Sequence, residues 1–346
     1  MGVDLKDLVP RITIPLNALS GKVVSIDAYN ALYQFLSIIR QPDGTPLKDR
    51  TGRITSHLSG LLYRTVNLVE LGIKPVYVFD GVPPEIKEME VLRRKKVKEE
   101  AVKKYEEAIK KGDLRAARTY AQQTAHLTDE MSDEAKRLLD ALGVPWVQAP
   151  SEGEAQAAYM TIKGDAYAVA SQDYDSLLFG AKRLVRNLTI SGKRKLPRRD
   201  EYIEVEPELI ELDKVLQELQ VTREQLIEMA ILIGTDYNPD GVKGIGPKTA
   251  LKLIKTYGSF EKVLKTLPEA EFPIDPLEIK RLFLEPKVTD NYKLEWKKPD
   301  VDKVLKFLCD ERDFSRERVM SALDRMLKAH EQYAKQTSLD VFFKKR

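Results

Sequence analysis

Four short apolar runs in this sequence each lead into carboxylates. They are residues 22–27 (KVVSID), 74–80 (KPVYVFD), 144–148 (VPWVQ) and 166–171 (AYAVAS). A run that is apolar between its ends suits a strand covered on both faces, as in a parallel sheet. Helix-patterned stretches, such as 57–71 and 129–142, separate the runs. Such alternation predicts an α/β fold with a central, mostly parallel sheet and helices on both faces. In such sheets ligands sit outside the carboxyl ends of the strands.

The acids fall at those ends. Asp27 closes the first run and Asp80 the second. Glu152 and Glu154 follow the third; Asp173 and Asp175 follow the fourth. Asp236 begins the loop after an amphipathic helix predicted at 223–234. Taken singly, each acid has a structural use. Ser151 with Glu154 fits a capping box, Asp173 or Asp175 fits a helix N-cap, and Asp27 and Asp80 fit turns. Their shared placement at strand ends argues against separate roles. Seven carboxylates on one edge repel, and neutralising most of them by protonation needs large pKa rises. Hard divalent cations are the usual remedy. An all-carboxylate donor set without His or Cys favours Mg²⁺, or Mn²⁺, over Zn²⁺. Two such ions roughly 4 Å apart activate water and stabilise the leaving oxygen in phosphodiester hydrolysis. No Ser/His/Asp or Cys/His set competes with that reading.

Charge is segregated. Net charge is only +3, but residues 87–118 carry twelve Lys/Arg against seven Asp/Glu, and residues 182–199 carry eight and no acid. Basic patches beside an acidic centre suit a phosphate polymer that meets metal ions; either window alone also fits solvated surface. Residues 85–124, after Pro83-Pro84, form a charged helical insertion with little apolar face, predicted to split near Gly112-Asp113. Residues 182–202 predict a basic hairpin turning near Ser191-Gly192. A Gly/Pro-rich loop carrying Gly244 and Gly246 precedes a helix at 247–257. Its glycines let backbone amides approach phosphate at a helix N-terminus, with Lys243 and Lys248 adding charge. Residues from 335 onward lack a core pattern and predict a loose tail. No apolar run approaches the ~18 residues needed to span a membrane. The N-terminus lacks a signal-peptide layout, and Lys6 breaks the myristoylation pattern. Cys309 is the single cysteine, which excludes a disulfide framework or thiolate metal site and fits an intracellular compartment. Asn187-Leu188-Thr189 is then a chance glycosylation match.

The blocks Val76–Gly81 with Pro83-Pro84, Ala149–Gln156, Ser171–Asp175, and Gly234–Tyr237 with Gly241–Ala250 resemble the signatures of flap endonucleases. The resemblance runs from Gly2 to the tail and is closest to the archaeal form. It implies a PIN-like 5′ nuclease fold with a helical arch and a helix–two-turn–helix. It implies nuclease-core halves at 1–98 and 116–258, the arch at 85–124, and the helix–two-turn–helix at 223–257. A C-terminal helical region at 259–335 and a tail at 336–346 complete the division. It puts all seven acids on metal positions, with Glu152 and Asp236 also near DNA. Lys87 and Arg94 match arch residues that contact the scissile phosphate. Tyr33 matches an aromatic stacking near the cut, and Arg40, Arg64 and Gly234 match DNA-contacting positions. Gly2 matches a glycine crowded against the active site. The glycine loop would hold duplex DNA with K⁺. Gln336, Leu339, Phe342 and Phe343 match a box that binds the sliding clamp (PCNA). The implied activity is 5′-flap cleavage, with accompanying 5′–3′ exonuclease action, by an intracellular monomer acting in Okazaki fragment maturation and repair.

Other readings fit the same residues. A non-catalytic DNA-binding module predicts loss of metal acids, yet all seven are present. A bubble-cutting relative carries a much longer spacer than the 71 residues, 81–151, between Asp80 and Glu152. A four-way-junction resolvase, a purely exonucleolytic enzyme, and an amphipathic tail folding back on its own domain are the further alternatives.

Overall fold

The computed structural model describes residues 2–41, 43–113, 116, 119–120, 126–195, 202–268 and 270–344. Its strands are β1 (Ile12–Thr13), β2 (Val23–Asp27), β3 (Lys74–Phe79), β4 (Trp146–Gln148), β5 (Ala168–Ala170), β6 (Arg183–Arg186), β7 (Gly192–Lys195), β8 (Tyr202–Val205) and β9 (Glu208–Glu211). Seven of them form one sheet in the order β1-β9-β6-β5-β2-β3-β4, and β7 pairs with β8 alone. Strands β6, β5, β2, β3 and β4 run parallel; β9 and β1 extend the sheet antiparallel. The chain winds from β2 outward through β3 and β4, then returns to the other side of β2 for β5 and β6. The topological switch point therefore lies between β2 and β5, where ligand crevices form.

Side-chain alternation splits the interior into two cores. Tyr77 and Phe79 face one; Val76 and Val78 face the other. The first core takes α1 (Ala28–Ile38), α2 (Ser56–Glu70), α4 (Asp129–Leu142) and the start of the C-terminal helix. The second takes α5 (Gly153–Lys163), α7 (Leu212–Leu219), α8 (Arg223–Ile233), α9 (Pro247–Tyr257) and α11 (Pro276–Leu284). Three shorter helices, α6 (Asp175–Leu178), α10 (Phe260–Lys265) and α12 (Val301–Leu305), complete the connections. Local chemistry sets the helix ends. Thr128 caps α4 through Met131 N, and Gly143 ends it at φ 68°. Thr222 and Gln225 form a capping box on α8. Pro247 starts α9 behind Gly246.

The structure corrects two expectations. Residues 182–202 are not one hairpin. Residues 183–186 are β6, a strand of the main sheet, and Leu184 and Val185 are fully buried. Arg183 and Arg186 are neutralised by Glu211 and Glu208 on antiparallel β9, which the sequence window did not include. A 3₁₀ turn, Leu188–Ile190, follows, and the basic hairpin is β7–β8. Second, α13 (Arg316–Lys344) runs as one helix through the segment expected to be loose. Once packing at Val319, Leu323 and Met326 nucleates the helix, propagation needs no further burial. The side chains of Gln336, Leu339, Phe342 and Phe343 lie outside the described residues. In the insertion, α3 (Glu88–Lys110) is a 23-residue helix ending before a turn at Gly112, φ 70°. Its Val97 and Val102 are exposed. Residues 114–115, 117–118 and 121–125, and the Arg94 side chain, lie outside the described residues.

Candidate active site

The carboxyl ends of the parallel strands gather the predicted acids. Asp27 ends β2 and caps α1, accepting from Asn30 N at 2.9 Å. Asp80 follows β3, and its Oδ1 accepts from Gly153 N at 2.6 Å. Any side chain at Gly153 would collide there, since a Cβ would lie 2.7 Å from Asp80 Oδ1. Glu152 and Glu154 open α5 after β4. The Ser151–Glu154 capping box does not form: the N-cap is Glu152, without a side-chain cap bond. Glu154 instead accepts from Ser171 Oγ at 3.0 Å. Asp173 accepts from Asn30 Nδ2 at 3.1 Å, and Asp175 from Val3 N at 2.8 Å.

Electrostatics record how close these groups are. Burial, then Asp80 and Asp173, pushes Asp27 up to about 8. Burial, then Asp236 and Asp173, pushes Asp175 up to about 7. Burial, then Asp175, Asp27 and Asp173, holds Glu154 well above the carboxylate range. Asp27, Asp80, Glu154, Asp173, Asp175 and Asp236 therefore share one field. Asp27 and Asp175 are only 7% and 4% exposed, so water does little to relieve it.

Among the described residues, Lys87 brings a cation to this edge. Lys87 Nζ lies 2.8 Å from Glu152 Oε1 and 2.9 Å from Asp236 Oδ2. Burial would lower its ammonium, but the two carboxylates outweigh burial and hold it well above the ordinary lysine range. Tyr237 donates its hydroxyl to Glu152 Oε2 at 2.8 Å.

Among the described residues, no three acids are drawn into a closed ligand cage. The donor chemistry still fits hard divalent ions: the seven acids offer oxygen only, and Asp27, Glu154 and Asp175 are held up by burial first and then by repulsion from their acid neighbours. A cation would favour the ionised forms and relieve that repulsion.

The remaining predicted residues divide by location. Gly2 sits against the acids at φ 48°, where a Cβ would lie 2.8 Å from Asp175 Oδ1. Tyr33 is half-buried on α1. Arg40 bonds Leu36 O and Gly44 O at 2.9 and 3.0 Å, and Arg64 bonds Ser191 O at 3.1 Å. Arg40 thus braces the loop that follows α1, and Arg64 ties α2 to the turn at Ser191. Lys243, Gly244, Gly246 and Lys248 are exposed together at the α9 N-terminus. Gly234, at φ 121°, turns the chain from α8 toward Asp236. Sequence reasoning misses Ser171, Tyr237 and Asn30 as partners of the acids. These contacts join residues 17, 85 and 143 positions apart, so no local spacing signals them.

Comparison with known proteins fits this geometry. Residues 1–101 match the XPG N-terminal domain and residues 143–236 the XPG I-region. A protein named Flap endonuclease 1 from Staphylothermus marinus is 62% identical over 99% of this chain and 100% of its own length. The Hyperthermus butylicus protein of that name is 63% identical, with both chains fully covered. The chain belongs to the flap endonuclease family. Flap endonuclease-1 from Methanococcus jannaschii superposes with a TM-score of 0.77 at 47% identity, covering 96% of this chain and all of that one. The catalytic core of Rad2 in complex with DNA substrate, 24% identical with a TM-score of 0.70 over 94% of this chain, shares the fold. As a flap endonuclease the protein is a DNA nuclease of a divalent-metal-dependent family. No helix among the described residues is long and apolar enough to cross a membrane.

Proposed function

We propose that this flap endonuclease cuts at the base of 5′ flaps with two Mg²⁺ ions, Mn²⁺ substituting, held by Asp27, Asp80, Glu152, Glu154, Asp173, Asp175 and Asp236. The observation that carries this reading is the gathering of these acids at the carboxyl ends of the parallel strands, beside the switch point between β2 and β5, where burial and then neighbouring carboxylates hold Asp27, Glu154 and Asp175 up. Bound there, the ions would supply an activated water and charge compensation for the leaving oxygen. The chain's own residues do the rest. Gly153 N and Val3 N fix the orientation of Asp80 and Asp175. Tyr237 holds Glu152 by its hydroxyl. Lys87 brings an ammonium to the edge where a scissile phosphate would enter, and exchanges carboxylates for phosphate oxygen. Arg94 is assigned the same phosphate-contacting role.

DNA is held away from the chemistry. Exposed amides and lysines at Lys243, Gly244, Gly246 and Lys248 suit phosphate without reading sequence, with K⁺ at that turn. Gly2, Tyr33, Arg40, Arg64 and Gly234 complete the DNA-facing set, and residues 85–124 arch over the cut. The core halves at 1–98 and 116–258, the helical region at 259–335 and the tail at 336–346 remain the proposed organisation. The tail residues Gln336, Leu339, Phe342 and Phe343 dock on a sliding clamp. The enzyme works as an intracellular monomer, with 5′–3′ exonuclease activity, in Okazaki fragment maturation and repair.

The test uses labelled flap, nicked, bubble and four-way substrates, with and without Mg²⁺, on wild type and Asp175→Ala. Wild type cuts flaps preferentially and only with the metal. The variant binds flaps within a few-fold of wild type but does not cut. Near-normal turnover by Asp175→Ala in Mg²⁺ overturns the two-metal assignment.

A further inference from the structure

Two amides on one face of α1 link the acid edge to the turn at the root of the basic hairpin. Asn30 Nδ2 donates to Asp173 Oδ2 at 3.1 Å. Gln34 Nε2 donates to Asn30 Oδ1 at 2.8 Å. Thr189 Oγ1 donates to Gln34 Oε1 at 2.5 Å. The direction of this relay is dictated by its end. Asn30 presents its NH₂ to Asp173, which leaves its oxygen to accept from Gln34. Gln34 then presents its NH₂ to Asn30 and its oxygen to the Thr189 hydroxyl. Reversing either amide sets oxygen against oxygen. The i, i+4 spacing of Asn30 and Gln34 makes the middle link geometrically natural on a helix.

The far end is anchored. Thr189 is 7% exposed and lies in the 3₁₀ turn Leu188–Ile190, entered by Asn187 at φ 63°. Ser191, the next residue, accepts from Arg64 through both its carbonyl and its hydroxyl. Strand β7 of the basic hairpin starts at Gly192. Asp27, Asn30, Ser171, Leu188 and Thr189 line one crevice between α1 and the β5–β6 edge, so the relay runs along the switch point itself.

We infer that Asn30, Gln34 and Thr189 are positioning residues for Asp173, and that through them the seat of the basic hairpin sets the orientation of that carboxylate. This rests on Asp173 being a metal acid. A carboxylate among repelling neighbours has no preferred orientation unless donors fix it, and outer partners that orient a ligand influence metal affinity strongly. The relay supplies one such donor and passes its alignment to a turn that is outside the acid cluster.

The test measures Mn²⁺ affinity of the DNA-free protein from the spin-resonance signal of free Mn²⁺, with flap kinetics alongside. Thr189→Val keeps the shape and removes the hydroxyl; Thr189→Ser restores it; Gln34→Leu removes both bonds that Gln34 makes. Thr189→Val and Gln34→Leu are expected to weaken Mn²⁺ binding about 10-fold. They lower kcat while leaving KM for flap DNA unchanged, and Thr189→Ser recovers most of the affinity. Asp173→Asn is the reference. If it weakens Mn²⁺ binding while Thr189→Val and Gln34→Leu bind as wild type, the relay is overturned and the metal assignment stands. If Asp173→Asn itself binds Mn²⁺ as wild type, the metal role of Asp173 fails, and the relay with it. Melting curves report folding; should Gln34→Leu not fold, the Thr189→Val and Thr189→Ser pair decides.

Discussion

The backbone N–H of Val3 donates to Asp175 Oδ1 across 2.8 Å, tying the start of the chain to an acid 172 residues later. Gly2, just before it, has φ 48°, and a Cβ there would lie 2.8 Å from Asp175 Oδ1 and 3.0 Å from Asp173 Cβ. Backbone strain and collision act in the same direction. Gly2→Ala is expected to displace Asp175 and lower single-turnover flap cleavage by about 10²-fold, with flap affinity retained. Cleavage at the wild-type rate would show that the acids do not depend on this contact.

Lys87 holds Glu152 and Asp236 together by an ammonium that no neutral side chain replaces. Lys87→Met keeps most of the volume and removes the charge. Single-turnover cleavage at saturating enzyme is expected to fall about 10²- to 10³-fold, the scale for losing one preorganised charge donor at a reacting oxyanion. Magnesium affinity does not weaken, because two carboxylates are released to bind it. A rate within threefold of wild type removes Lys87 from the phosphate-contacting role.

Protons report the acid cluster. Asp27 and Asp175 sit at about 8 and about 7 in the fold, against 3.8 for a free aspartate. Between about pH 4 and 8 the native state therefore binds more protons than the unfolded chain. Stability in chelator must fall as pH rises through that window. Divalent ions reverse this by favouring the ionised acids. Calorimetry of Mg²⁺ binding at pH 6.5, in buffers of differing ionisation enthalpy, is expected to show proton release that fades by about pH 9. The Mg²⁺-induced rise in Tm grows between pH 5.5 and 8. Binding without proton release, and a chelator Tm that does not fall with pH, would contradict a cation site built on these acids.

The tail is expected to be separable from catalysis. All seven acids lie upstream of 336, and among the described residues the last buried side chain on α13 is Ala329. Deleting residues 336–346 is expected to leave flap cutting intact and to abolish stimulation by a sliding clamp. Leu339, Phe342 and Phe343 are the apolar residues of the proposed clamp-binding tail. A fully buried apolar side chain is worth about 1.5–3 kcal/mol, so Phe342→Ala/Phe343→Ala weakens clamp binding by two orders of magnitude or more. Unchanged affinity by calorimetry would favour the tail packing on its own domain.

Much of this protein was fixed by local pattern. The apolar runs at 22–27, 74–80, 144–148 and 166–171 became β2 to β5, because a strand buried on both faces has few other readings. Helices at 129–142 and 247–257 ended where Thr128, Gly143, Gly246 and Pro247 supply their caps. The convergence of Asp27, Asp80, Glu152, Glu154, Asp173 and Asp175 followed from parallel strands sharing one carboxyl edge. What lay beyond local pattern was pairing. Residues 183–186 look like basic surface until Glu208 and Glu211 arrive from another strand to neutralise Arg186 and Arg183. Nothing near Asn30 or Gln34 in the chain names Asp173 or Thr189 as partners. Sequence determines which groups exist and which face each presents; the strand order, set by burying two cores at once, decides which of those groups meet.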